Sequence, residues 1–411
     1  MTSSSKGRID PTTMVVIVAV SACNMLGFAA VFALLPKLQD AYGLATKSLG
    51  LITATSVIMS VITQLTLARF ADRGHSLLLM RAGALCMAVG FSWFALSDQF
   101  WQFALARALV GAGGGMFVPA ARRTIVSQDP ARAGQLIGTM VAVEVGGFVI
   151  GPPLALGLYE LGGLRLPFFA PTVLLLVGLP LIRTTASSVA KSVQRPHAVR
   201  SVLSMPAARA ALVIGAAANL SIGAFEPVIA KQLTDLGSSD RAIALTLSTF
   251  AIPYVFLTRY GGRTADRFGA HRTAVISMLC TAPVIAMFGI VHTALLIAAF
   301  GLLRSIFDTI TTPSGSSAMA RAVPGDLLAT GQGLYGAIAS TMTGLAAALG
   351  ALLYGAYGAR TLWLTSAGSM LVLTALTAAL SKRAGVWTPR GTTDGDDRDH
   401  RVGVGYRQSD P

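Results

Sequence analysis

Long apolar runs separated by short polar or glycine-containing turns make up most of this chain of 411 residues. A helix that crosses the hydrocarbon core of a bilayer needs about 20 predominantly apolar residues. Runs close to that length predict twelve membrane-spanning helices. They are residues 14–35, 49–67, 77–95, 101–118, 135–158, 166–182, 210–230, 242–257, 273–291, 294–317, 328–354 and 362–380. The pattern therefore predicts an all-α membrane protein.

The composition supports a membrane protein and argues against soluble classes. The chain is 53% hydrophobic and 12% charged, whereas a soluble domain is about one quarter charged. The net charge of +14 is spread over short loops and does not form the basic patch typical of a nucleic-acid-binding protein. The three cysteines lie inside apolar runs and the five histidines have no metal-ligand spacing, so we expect no disulfide framework, metal or cofactor.

The positions of the basic residues predict the orientation in the membrane. With the N-terminus inside, the odd-numbered loops hold six of the 32 lysines and arginines, and most of the others lie in the even-numbered loops and the tails. Cytoplasmic loops carry such an excess of lysine and arginine. We therefore expect a multi-pass protein of the cell membrane (inner or plasma membrane) with both termini in the cytoplasm.

An internal repeat relates the two halves of the chain. Similar polar residues recur at separations of 194 to 197 residues. The pairs are Asn24 with Asn219, Asp40 with Asp235, Asp72 with Asp266, and Arg107 with Arg304. Parallel six-helix repeats place a binding site between the halves near the middle of the membrane.

The repeat and the loop composition predict the domain organisation. Residues 1–182 form one six-helix bundle and residues 207–384 the other. The segment 183–206 contains no acidic residue and is rich in serine, arginine and proline, so we expect a cytoplasmic linker. Residues 385–411 have few apolar side chains and are expected to be disordered.

A short charged turn between the eighth and ninth runs, GRTADRFGAHR at residues 262–272, carries a recognisable motif. It resembles the loop G-x-L-A-D-R-x-G-R-R of the major facilitator superfamily, through Gly262, Asp266, Arg267 and Gly269. The resemblance to this family covers residues 14–381 and implies its fold, with twelve helices in two repeat-related bundles.

The first-half copy of this motif, ARFADRGH at residues 68–75, is weaker. Asp72 and Arg73 are kept, but Ala68 and His75 stand where the family pattern has glycines. The resemblance implies that the two loop aspartates meet the N-termini of the eleventh and fifth helices and close an inner gate. Because the first copy has lost both glycines, and has Ser76 and Leu77 where the pattern has its final arginines, we expect the second copy to contribute more to this closure.

Two further patterns are similar to those of the same family. The fourth run contains R-x-x-x-G as Arg107 and Gly111. The fifth run matches a glycine pattern typical of the drug-export antiporters of the family. Its residues are Gly138, Gly147, Gly151 and Pro152. This second pattern favours export.

Three acidic residues inside apolar runs are candidates for proton coupling. A charge at the bilayer centre costs about 2.5–3.5 kcal/mol on insertion scales, so Glu144, Glu226 and Asp308 are expected to face a cavity or a partner. Arg304 lies one helical turn before Asp308, and the two form either a structural ion pair or part of the coupling machinery. The resemblance implies that Arg107 adjusts the pKa of an acid in one conformation only.

Asn24 and Asn219 are candidates for the substrate cavity. Each lies about ten residues into its run, or about 15 Å at 1.5 Å per residue, which is close to mid-membrane. A buried amide needs a hydrogen-bond partner. That partner is either substrate and cavity water or a neighbouring helix.

The sequence as a whole predicts a secondary active transporter, most simply a proton-coupled exporter of small apolar or amphiphilic molecules. An uptake symporter for a sugar or organic anion is the alternative, and a polytopic membrane enzyme or receptor is a remote one. The expected partners are a small-molecule substrate, protons and the lipid bilayer, without nucleic acid, and we expect a monomer.

Overall fold

The computed structural model of the chain describes residues 11–44, 46–182 and 197–387. These residues form helices joined by short turns, and no strand lies among them. In chain order the α-helices are α1 (Pro11–Tyr42), α2 (Thr46–Phe70), α3 (Ser76–Leu96), α4 (Phe100–Gln128), α5 (Ala133–Gly162), α6 (Leu166–Gly178), α7 (Ala198–Ser204), α8 (Pro206–Asp235), α9 (Asp240–Phe268), α10 (Ala270–Met287), α11 (Ala294–Ala322) and α12 (Leu328–Arg383). Each of the twelve predicted spans overlaps one of these helices, although the predicted spans 166–182 and 273–291 run four residues past the ends of α6 and α10.

Several spans are joined by a bend instead of a loop. Eight helical stretches of the described chain are long and apolar enough to cross a bilayer, and three of them are 46, 52 and 59 residues long. Each of these three is more than twice the length that one crossing needs. Each also contains a glycine with positive φ, namely Gly74, Gly163 or Gly358, where the helix turns back. We therefore count two crossings in each and eleven in the eight stretches.

Helix α9, which is not among those eight stretches, is the twelfth crossing. It packs against α5 and α11, and its large exposed hydrophobic side chains, such as Leu245 and Phe256, are suited to contact lipid. Helix α12 bends at Gly358, and its two arms, 328–357 and 359–383, correspond to the predicted eleventh and twelfth spans.

Two helices extend ten or more residues beyond the ends of their predicted spans. Helix α4 continues ten residues past the predicted end at residue 118, and α9 continues eleven residues past residue 257. The last two turns of α4 contain arginines, so they do not continue the apolar run. They are nevertheless helical, and Arg123 within them is buried against other helices. The motif at 262–272 is correspondingly not one open turn, since residues 262–268 are helical and only Gly269 breaks the helix.

The most extensive contacts between the two halves are made by two pairs of helices. Helix α5 packs against α9, and the first arm of α12 packs against α2. Both contacts approach the face of the molecule on which α1 begins and α12 ends, which we call the terminal face. The short helix α7 lies in the segment predicted as a linker, while 183–196 and most of the predicted tail, 388–411, are outside the described residues.

Candidate functional site

Asp266 connects the C-terminal end of α9 to the start of α5 in the other half. Its two carboxylate oxygens accept hydrogen bonds of 2.8 Å from the backbone N–H groups of Gly134 and Gln135. Arg321 of α11 forms an ion pair with the same carboxylate and donates a hydrogen bond to the carbonyl of Ala131. The unpaired N–H groups and dipole of a helix N-terminus favour this negative charge.

Gly262 allows this contact to form. A Cβ atom at Gly262 would lie 2.0 Å from the carbonyl oxygen of Gly134, and a Cβ at Gly134 would lie 2.4 Å from the carbonyl oxygen of Gly262. Helices α9 and α5 can therefore cross this closely only with glycine at both positions. The close crossing brings Asp266 within reach of the α5 N-terminus.

Asp72 makes the equivalent contact with the start of α12. It accepts hydrogen bonds of 2.7 Å from the backbone N–H groups of Ala329 and Thr330, and one of 2.6 Å from the Thr330 hydroxyl. Arg123 of α4 lies 3.2 Å from the same carboxylate. Burial raises the pKa of Asp72, which sits in the turn between α2 and α3, to about 6. The Thr330 and Ala329 hydrogen bonds and the charge of Arg123 act in the opposite direction but offset only part of that effect.

The structure corrects the expectation that the first motif copy lacks a turn glycine. Gly74 has φ 94°, and Gly269 in the second copy has φ 91°. Both make the backbone turn that only glycine adopts without strain. Gly74 comes one residue closer to its aspartate than Gly269 does, and its non-helical backbone forms the kink at Ala71–His75 between α2 and α3.

The arginines of the two motif copies lie outside these contacts. Arg73 and Arg267 are exposed, and each guanidinium lies over the ring of a neighbouring phenylalanine, at 5.3 Å for Phe70 and 5.2 Å for Phe268. The arginines that do reach the aspartates, Arg123 and Arg321, lie on other helices, where motif matching does not find them.

A cavity of about 190 Å³ lies among helices of the first half, where it borders α12 of the second half. Helices α1, α2 and α4 of the first half and one serine of α12 form its wall. The lining residues are Asn24, Met25, Phe28, Ser56, Val57, Ser60, Val110, Gly111, Gly114 and Ser340. None of them carries a charge, and the polar groups are hydroxyls and one amide.

The structure separates the two candidate asparagines. Asn24 lines the cavity. Asn219 is not among the lining residues, and its amide instead donates to the carbonyl of Gly215 at 2.9 Å and accepts from the hydroxyl of Thr343 at 3.3 Å. The amide of Asn219 is therefore paired with a neighbouring helix, which is one of the two kinds of partner expected. Asn24 remains a candidate for contact with the substrate.

The candidate coupling acids differ in their surroundings. Glu144 of α5 is half-buried and makes no ion pair within 4 Å among the described residues, although Arg122 of α4 is close enough to act on its charge. Its own helix offered no basic neighbour, so the sequence did not reveal Arg122. Glu226 belongs to α8, but its side chain is not among those that the structure describes.

Arg304 and Asp308 form the expected ion pair inside α11. Their side chains are 4% and 3% exposed, and the charged atoms are 3.0 Å apart. Arg304 also donates to the hydroxyl of Ser221 at 3.2 Å and lies over the ring of Phe225 at 4.2 Å. Asp308 is thus already neutralised in this conformation.

The glycines of α5 allow close contact with two helices. A Cβ at Gly138 would lie 2.5 Å from the carbonyl oxygen of Thr258 on α9, in the other half. A Cβ at Gly147 would lie 2.5 Å from the carbonyl oxygen of Ala22, and one at Gly151 would lie 2.7 Å from the Cβ of Ala29, both on α1. Pro152, within the same helix, is half-buried.

Comparison with known families and proteins agrees with this arrangement. The model of the Major Facilitator Superfamily matches residues 17–232 and 210–401. The Multidrug resistance protein MdtG of Dickeya zeae (strain Ech586) is 29% identical over 286 residues, which are 64% of this chain and 67% of the relative. MdtG of Klebsiella pneumoniae (strain 342) is 26% identical over 320 residues, 71% of this chain and 75% of the relative.

Two solved structures share the fold at low sequence identity. The human organic anion transporter MFSD10 (TETRAN) is 17% identical with a TM-score of 0.75, over 89% of this chain and 99% of that one. A bacterial homologue of the iron transporter ferroportin, in an outward-facing state, is 14% identical with a TM-score of 0.76, over 90% and 100%. Two repeat-related bundles joined by paired aspartate contacts, with a family model that spans both, place this chain in the Major Facilitator Superfamily, as a multi-pass membrane transporter and not an enzyme.

Proposed function

We propose that this protein exports small apolar or amphiphilic molecules across the cell membrane in exchange for protons. The pair of contacts that Asp72 and Asp266 make with helix N-termini of the opposite half is the observation that carries the proposal. The contacts hold the terminal face closed, and their loss would open the space between the halves to that side. Such alternation between two closed faces is the mechanism of a secondary transporter.

The relatives favour export over uptake. Both MdtG proteins are named for multidrug resistance, and the fifth-helix glycines Gly138, Gly147 and Gly151 follow the antiporter pattern of the family. The cavity wall supports a cargo that is mainly apolar, because hydroxyls, one amide and hydrophobic side chains line it. An uptake symporter would need inward accumulation of cargo along the proton gradient, which the experiment below measures directly.

Glu144 and Glu226 are proposed to carry the coupled proton. An acid without a close counter-ion inside a membrane protein takes up a proton easily, because desolvation disfavours its charged form. Glu144 meets this condition among the described residues more closely than Asp308, which is paired with Arg304. Arg107 and Arg304 remain in the proposal as charges that change the proton affinity of these acids between conformations.

The test is transport by the purified full chain in proteoliposomes under an imposed pH gradient. A panel of neutral, cationic and anionic amphiphilic dyes reports the direction and range of transport. Glu144→Gln and Glu226→Gln should each lower gradient-driven export by about tenfold or more, and the double variant should abolish it while leaving downhill transport. Glu160→Gln is the matched control, because Glu160 is the third glutamate and is exposed at the end of α5.

Two outcomes would contradict the proposal. Full gradient-driven export by the double variant would exclude both glutamates and leave Asp308 as the candidate. Accumulation of dye only in the direction of proton entry would identify a symporter. Analytical ultracentrifugation of the same preparation tests the proposed monomer.

A further inference from the structure

Arg107 is a fully buried arginine without a polar partner among the described residues. Its side chain is 0% exposed, and none of its three guanidinium nitrogens has a hydrogen-bond partner within the described part of the chain. Its contact with the Phe28 ring, 4.6 Å from the guanidinium carbon to the ring centre, is a cation–π interaction. A ring face supplies far less stabilisation than an anion does to a buried cation.

The repeat-related arginine of the second half, Arg304, has an acidic partner, whereas Arg107 has none among the described residues. Arg304 also lies over a phenylalanine, Phe225, and both members of that pair are 197 residues after Arg107 and Phe28. Arg304 additionally has Asp308, one helical turn further on. The position that corresponds to Asp308 in the first half is Gly111. The two halves therefore share the arginine and the ring, but only the second has the acid.

Helix packing prevents an acid at this position in the first half. A Cβ at Gly111 would lie 2.0 Å from the backbone carbonyl oxygen of Ser56 on α2. No side chain fits there while α2 and α4 cross this closely. An anion for Arg107 must therefore come from elsewhere.

The cavity is the adjacent open space. Phe28, Val110 and Gly111 line it, and Phe28 is the ring that covers the guanidinium. Phe28 therefore contacts both the Arg107 guanidinium and the cavity, while Arg107 itself is not among the lining residues. The cavity wall itself supplies no acid, since its lining residues are uncharged.

We propose that Arg107 binds a carboxylate group of the transported molecule, with Phe28 covering the guanidinium until cargo enters. This inference rests on the proposed export function and narrows its cargo to amphiphiles that carry an anionic group next to an apolar body. Arg304 does not take this role, because it already forms an ion pair with Asp308. The coupling role proposed above for Arg107, an effect on the proton affinity of acids such as Glu144, does not by itself predict a preference for anionic cargo, so a test can separate the two roles.

The test compares the binding of naphthalene-1-acetate with that of its uncharged methyl ester. The full chain is reconstituted in nanodiscs, and equilibrium binding is measured by calorimetry. The wild-type protein should bind the acid about tenfold more tightly than the ester, as a charge-assisted pair implies. Arg107→Gln should remove this preference while ester binding stays unchanged, and Arg107→Lys should keep part of it. Arg69→Gln, at an exposed arginine of α2, should change neither.

Equal binding of acid and ester by the wild-type protein would overturn the proposal without any variant. An equal loss of both ligands in a folded Arg107→Gln protein would also overturn it. Phe28→Leu provides a second test that keeps the charge, and it should raise the ratio of acid affinity to ester affinity. Loss of the acid preference when chloride replaces the buffer anion at constant ionic strength would assign Arg107 to inorganic anions instead. Export of uncharged dyes without any acid binding would leave the transport function intact and reject this inference alone.

Discussion

Asp72 and Asp266 satisfy a helix N-terminus in the same way but with different strength. Asp72 is 3% exposed and accepts three hydrogen bonds from the start of α12 in addition to its contact with Arg123. Asp266 accepts two from the start of α5, and its partner Arg321 has a side chain that is 37% exposed. A partly exposed ion pair contributes little because water screens it.

This difference reverses the order expected from the motif alone. Asp72→Asn should open the terminal face more than Asp266→Asn, because the amide places a donor against the N–H groups that the lost oxygen had accepted. We expect a shift of about 2 kcal/mol toward the open form for Asp72→Asn and about 1 kcal/mol for Asp266→Asn.

The alkylation rate of a cysteine at Ala133, which is fully buried at the start of α5, measures this opening. The reporter is placed in a background without the three native cysteines. Arg73→Gln is the control, because its exposed side chain does not touch the aspartate contacts. A larger rate increase from Asp266→Asn than from Asp72→Asn would restore the order that the motif predicts.

At single residues, the sequence identified side chains but not their partners. The two aspartates and their target helices followed from the motif, and the contacts are present. Arg123 and Arg321 were missed because each meets its aspartate across helices that are far apart in the chain, at a distance that depends on tertiary packing. Gly74 was missed because family patterns align turns by position, while the backbone tolerates a shift of one residue.

At the scale of helices, glycines set how closely α5 approaches its neighbours. Gly147 faces the backbone of α1, whereas a Cβ at the adjacent Gly146 would meet no atom within 4 Å. The two residues therefore form a matched pair on one helix, with the same propensity change on substitution but different packing.

Gly147→Val should lower the free energy of unfolding by about 1–3 kcal/mol, because the added side chain overlaps the Ala22 carbonyl group. Gly146→Val should be neutral or slightly stabilising, since valine exceeds glycine in helix propensity. Thermal melting in detergent micelles compares the two variants directly. Equal melting temperatures would show that α1 and α5 can move apart to accommodate the valine without a loss of stability.

Helix number and type were predictable because the apolar runs are long and separated by clear turns. Helix length was less so. The ends of α4 and α9 carry charged residues that meet other parts of the protein, and the hydropathy pattern cannot distinguish a side chain buried in protein from one at the membrane surface.

At the scale of the molecule, the two halves have similar helix arrangements but different buried charged residues. Each has an arginine over a phenylalanine near mid-membrane, but only α11 supplies an acid beside it. The repeat was visible in the sequence. The asymmetry between Gly111 and Asp308 can also be read from the sequence once the repeat is aligned, but its physical reason, the close approach of the α2 backbone to Gly111, was visible only in the structure.

The orientation in the membrane decides which side the closed terminal face meets. The excess of basic residues in the even-numbered loops predicts that this face is cytoplasmic, and the cavity would then exchange cargo and protons with the outside. Helix α4 tests this with a cysteine at each end, Asp98→Cys just before it and Ser127→Cys in its last turn, both exposed positions. In intact cells a membrane-impermeant maleimide should label the cysteine at 98 and reach the one at 127 only after permeabilisation. The reverse labelling would place the terminal face outside the cell. The aspartate contacts would then close the cavity to the exterior, and the cavity would exchange cargo and protons with the cytoplasm.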